Sequence, residues 1–74
     1  MDLTELKVRR IISPHGDLRL GEPVDVIDEG SFYRINGTTI VDKYKIEGIE
    51  EDENRVEIRL KDGTVVLETV QLGK

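Results

Sequence analysis

The chain has 74 residues, no cysteine and one histidine, and its 16 acidic against 11 basic side chains leave a net charge of −5. That length allows one domain, residues 1–74, with one small core, and the lack of cysteine excludes disulfides and thiolate zinc sites as staples. The acid surplus disfavours generic binding to nucleic acid or anionic membranes, both of which favour a positive surface.

Val and Ile make up 16 of the 27 hydrophobic residues and Ala is absent, a bias that suits pleated, half-buried strands over helices. Amide and sulfur residues are also scarce while 36% of the chain is charged, the bias of thermophile proteins toward ion-pair networks.

From the N-terminus, Asp2 and Glu5 predict a capped single helical turn, followed by a strand from Leu6 through Ile12 in which Arg10 interrupts the alternation. The opening MDLTELKVRR lacks the apolar segment of a signal peptide, and no apolar run is long enough to span a membrane, so a cytoplasmic location is expected. Ser13-Pro14-His15-Gly16-Asp17 reads as a turn. It contains Ser, His and Asp, but a catalytic triad needs those groups brought together from rigid elements, not strung along one loop.

Gly21-Glu22-Pro23 and Asp28-Glu29-Gly30 are further turn signals. Between them, Val24 and Val26 are expected to face the core and Ile27 to face outward. Asn36-Gly37 is a strong hairpin signal, because a two-residue type I′ turn needs positive φ at both positions. Read that way, Ile35 faces Thr38 and Tyr33 faces Ile40 on the core side, while Arg34 faces Thr39 and Phe32 faces Val41 on the other. In YKIEGIE, Tyr44 and Ile46 share a face and Ile49 is out of phase, which a bulge at Gly48 would repair.

The acidic run Glu50–Asn54 places oxygen ligands at alternate positions as a calcium loop does. The glycine position holds Arg55, however, and the terminal acid position holds Lys61, so it is not an EF-hand. Val56, Ile58 and Leu60 alternate with charged residues as a strand with one wet face. If the next turn is Asp62-Gly63, Val65 and Leu67 face the core; a three-residue loop with a bulge would turn Val66 inward instead. VDVIDEGSFYRI and VEIRLKDGTVVL share a pattern after a one-residue gap, as two hairpins built from the same parts do.

The expected core is Val24, Val26, Tyr33, Ile35, Ile40, Tyr44, Ile46, Val56, Ile58, Leu60, Val65 and Leu67. The expected fold is all-β: a small, mostly antiparallel barrel or sandwich, a meander of about six to eight short strands with little or no helix. The strand order is similar to that of small SH3-like barrels, including the short nickel-accessory barrels that begin Met-Cys. Position 2 here is Asp, so the residue that would carry a metal in those proteins is missing.

No glycine-rich phosphate loop is present, and a barrel this small is filled by side chains, so no catalytic residues, metal ligands or cofactor are expected. The functional expectation is a non-enzymatic protein-interaction or accessory module, self-associating or holding a protein partner. Ile27, Phe32, Arg34 and Val41 are its candidate surface, as apolar residues on a nominally wet face. A nucleic-acid-binding barrel is the alternative, from Arg34 and Lys43-Tyr44-Lys45 near Phe32. A weak cation site at Glu50–Asn54 is the third reading. Coverage of the patch by Leu3 and Leu6, or by Val70 and Leu72, competes with association.

Overall fold

The computed structural model describes residues 2–70. A 3-10 turn, Leu3–Glu5, precedes strands β1 (Lys7–Ser13), β2 (Gly16–Asp28), β3 (Phe32–Ile35) and β4 (Thr39–Asp42). A second 3-10 turn, Lys43–Lys45, leads to β5 (Ile46–Asp52), β6 (Arg55–Leu60) and β7 (Gly63–Thr69). The seven strands form one sheet in the order β4-β3-β2-β1-β7-β6-β5, antiparallel at every step, and the sheet curls into a half-barrel. The expected all-β fold is therefore present, and no helix among the described residues is long and apolar enough to cross a membrane.

The core lies inside the curl. Leu3, Val8, Ile11, Val26, Ile35, Val41, Val56, Ile58, Val65 and Leu67 are buried, with Leu6, Leu20, Val24, Tyr33, Ile46 and Leu60 packed partly against them. The first turn is capped as its sequence predicts, with Asp2 accepting from the Thr4 N–H, and it delivers Leu3 into this core. Leu3 therefore does not cover the Ile27 face. Val70 is half-buried, and Leu72 lies outside the described residues.

Two register shifts interrupt the ladders, and the one in β1 brings its hydrophobic pattern into phase. In β1 the register shifts between Val8 and Arg10, so Val8 and Ile11, three apart, are both buried. In β5 the register shifts between Ile46 and Gly48, as expected, and brings Ile49 opposite buried Ile58, although Ile49 stays 37% exposed; the Arg59 guanidinium lies where a side chain at 48 would be. The β1 shift also corrects an expectation: Gly21-Glu22-Pro23 is not a turn between strands. β2 runs through it, and the register against β1 jumps from Arg10–Arg19 to Val8–Val24. Pro23 has no N–H to give a ladder, and here it sits in the stretch without a β1 partner. Beyond it β2 passes from β1 to β3, pairing Val26 with Ile35.

Two hairpins also differ from expectation. The β6–β7 turn is Lys61-Asp62, with Leu60 opposite Gly63, not Asp62-Gly63. The register moves by two residues, so the faces survive: Val65 and Leu67 are buried as expected, and Val66 is largely covered on the other face, opposite Ile12. The β3–β4 hairpin moves by one. Asn36 and Gly37 take the positive φ values of 57° and 72° that the motif requires, but Thr38 joins the loop and Ile35 pairs with Thr39. A one-residue slip flips every side chain. Val41, predicted to face outward opposite Phe32, is fully buried opposite Tyr33, and Ile40, predicted as core, is 55% exposed. Tyr44, also predicted as core, is 70% exposed on the second 3-10 turn.

Candidate interaction surface

Directly opposed residues of an antiparallel pair share a face. Ile27 pairs with Arg34, and Arg34 pairs with Ile40, so these three form one outward row across β2, β3 and β4. Ile27 is 45% exposed, and Phe32, two residues before Arg34 on the same face, is half-buried. Of the sequence-predicted surface residues, the fold thus brings Ile27, Phe32 and Arg34 together and sends Val41 to the core. Ile40 takes its place.

Cations around the row have carboxylate partners. Arg34 donates to Glu29 from the β2–β3 connection. Lys43 pairs with Asp28 at 2.8 Å while lying 4.9 Å from the Tyr33 ring centroid. Its partnership with Asp28 raises the Lys43 pKa, and the same hydrogen bond, with one from the Gly30 N–H, lowers that of Asp28. Lys45 lies 3.2 Å from Asp62 and 3.7 Å from Asp42, and its hydrogen bond to Asp62 raises its own pKa and lowers that of Asp62.

Charge is unevenly distributed. Residues 27–45 hold three acids (Asp28, Glu29, Asp42) and three bases (Arg34, Lys43, Lys45), so the region of the row is neutral. Residues 46–54 hold five acids and no base, equal to the whole net charge of −5. Those acids lie on β5 and its turn, at the other end of the strand order from β4. A cleft of about 560 Å³ adjoins β4, with Thr39 and Ile40 on one side and Pro14, Leu60 and Gly63 among the residues opposite.

The remaining sequence candidates occupy ordinary turns. His15 is exposed, and its backbone N–H donates to Ser13 Oγ at 3.2 Å, so that hydroxyl serves the turn. The Asp17 carboxylate is held by the Arg10 guanidinium, which lowers its pKa. At the acidic run, Glu53 and Asn54 make a two-residue turn between the paired Asp52 and Arg55, and Asp52 accepts from the Glu53 N–H. Among the described residues no group of three or more His, Cys, Asp or Glu is placed to hold a metal ion.

No family model, curated protein or solved structure matches the chain.

Proposed function

We propose that this protein acts by binding rather than catalysis, as a protein-interaction or accessory module that self-associates through the outward face of β2, β3 and β4. The observation that carries the reading is the row Ile27–Arg34–Ile40. It holds two exposed β-branched side chains around an arginine already neutralised by Glu29, on a charge-balanced stretch of an acidic protein. Single exposed apolar residues are ordinary; what supports the reading is that these two are aligned on one face beside half-buried Phe32. The nucleic-acid alternative draws no support from Arg34, Lys43 and Lys45, because each is paired with a carboxylate.

The test is sedimentation and thermal melting across protein concentrations. Association confined to the native state makes the melting temperature rise with concentration. Ile27→Glu is expected to remain folded, to sediment as a monomer and to melt independently of concentration. Concentration-dependent melting that survives this substitution would place the contact elsewhere. Salt-sensitive retention on heparin would favour nucleic acid instead.

A further inference from the structure

The Lys43 N–H donates to the Ser31 carbonyl at 3.0 Å, which makes Ser31 and Lys43 a hydrogen-bonded pair extending the β3–β4 ladder. Such pairs alternate with non-hydrogen-bonded ones, so Tyr33–Val41 and Ile35–Thr39 are bonded and Arg34–Ile40 is not. The other side of β3 agrees. The Glu29 N–H donates to the Phe32 carbonyl at 2.9 Å, which makes Ile27–Arg34 a bonded pair and turns the Arg34 backbone toward β2. The N–H and C=O of Ile40 therefore point away from β3, along the open edge of the sheet.

Among the described residues the sheet has two such edges, and they are treated differently. β5 carries Glu47, Glu50, Glu51 and Asp52, the charges by which proteins blunt an edge against pairing. β4 reads Thr-Ile-Val-Asp, without a charge before its last residue.

We infer that β4 pairs antiparallel with β4 of a second copy about a two-fold axis centred on Ile40, joining two half-barrels through one continuous sheet. The inference rests on the self-association reading and moves the contact from the outward face to the β4 edge, so Ile27 lies outside it and association that survives Ile27→Glu is its mark. A two-fold perpendicular to the sheet keeps each face on its own side, so the axis passes through a residue and not between two. Centred on Ile40, it joins that residue's free N–H and C=O to those of its copy. It also extends the outward row to Ile27–Arg34–Ile40 followed by the same three residues reversed. Thr39 and Val41 meet on the inner face, and Thr38 meets Asp42, a hydroxyl opposite a carboxylate. Charge favours a second copy as the occupant. The segment brought together, Thr38–Asp42, carries one acid per copy, Asp42, with Lys45 at 3.7 Å, whereas pairing β5 with itself would bring two runs of five acids face to face.

The chain has no cysteine, so single-cysteine variants report the geometry directly. A hydrogen-bonded antiparallel pair has Cα atoms ~5.5 Å apart, inside the ~4.4–6.8 Å span of a disulfide. Two copies of Ile27 would lie five strand spacings apart, roughly 24 Å. Mild oxidation is expected to convert Ile40→Cys to a covalent dimer and to leave Ile27→Cys uncrosslinked. In the unmodified protein, exchange of the Ile40 amide hydrogen should slow as concentration rises. If the unmodified protein associates but Ile40→Cys does not crosslink and that amide is unaffected, edge pairing is wrong while association through the outer face stands. If the unmodified protein is monomeric at every concentration, both are wrong.

Discussion

Asp42 lies two positions from Ile40 on β4, so the two side chains share a face. Burying Ile40 would have turned the Asp42 carboxylate toward the core, and an ionised carboxylate without a buried partner is costly there. With Val41 inward instead, Asp42 lies near Lys45 at 3.7 Å and a valine meets Tyr33. That single residue was the available sequence signal for the orientation of β4, and it outweighs the preference of Asn-Gly for a two-residue loop. The two isoleucines of similar sequence character then differ sharply in energetic role. Ile58 is fully buried, and Ile58→Ala should cost ~2–5 kcal/mol. Ile40→Ala should change monomer stability by no more than ~0.5 kcal/mol, as an exposed site does. Urea denaturation at a concentration too low for association measures both, and equal costs would mean the face assignment is wrong.

At the scale of elements, the alternating strands were the most legible parts. RVEIRL buries Val56 and Ile58 and partly buries Leu60, as its period of two requires, and Gly48 marks the bulge it was read to mark. Turn signals misled where chain geometry could absorb them. Gly21-Glu22-Pro23 bends one long strand as it leaves β1 for β3, because a curled sheet needs a corner as much as it needs a turn. The extra loop residue Thr38 leads to a prediction. Since Asn36 and Gly37 already hold the φ values of a type I′ turn, deleting Thr38 should leave Ile35 opposite Thr39 across a two-residue loop. The shortened protein should keep contacts between the Tyr33 ring and the Val41 methyls in nuclear Overhauser spectra, with Ile40 still outside. Appearance of Tyr33–Ile40 contacts instead would show that loop length alone sets the register.

For the whole molecule, ion pairs set the pH range over which the fold is most stable. Hydrogen bonds from Arg10, Lys43 and Lys45 hold Asp17, Asp28 and Asp62 below the ordinary value of 3.8. A depressed carboxylate contributes stability above its unfolded pKa and loses it as pH falls through the folded one. Lys43 and Lys45 are raised above 10.5 by Asp28 and Asp62. Their contribution is complete below 10.5 and disappears as pH rises through the raised values. The melting temperature should therefore form a plateau between these limits, falling below about pH 4 and again above about pH 10.5. Asp28→Asn should lessen both limbs, because it removes the carboxylate and leaves Lys43 without its partner. All these pairs are at the surface, so added salt should lower the plateau only slightly.

The all-β class, the strands with strict alternation and the place where β5 shifts register were legible in the chain, because β-branched composition and a period of two are local properties. Ile27, Phe32 and Arg34 were legible as outward too. Which of Ile40 and Val41 joins them, the place of Leu3 in the core and the run of β2 through a proline were settled by long-range packing. Each of those depends on what lies across the curl: a buried face that excludes Asp42, a core that accepts Leu3, and two different partners for the two halves of one strand.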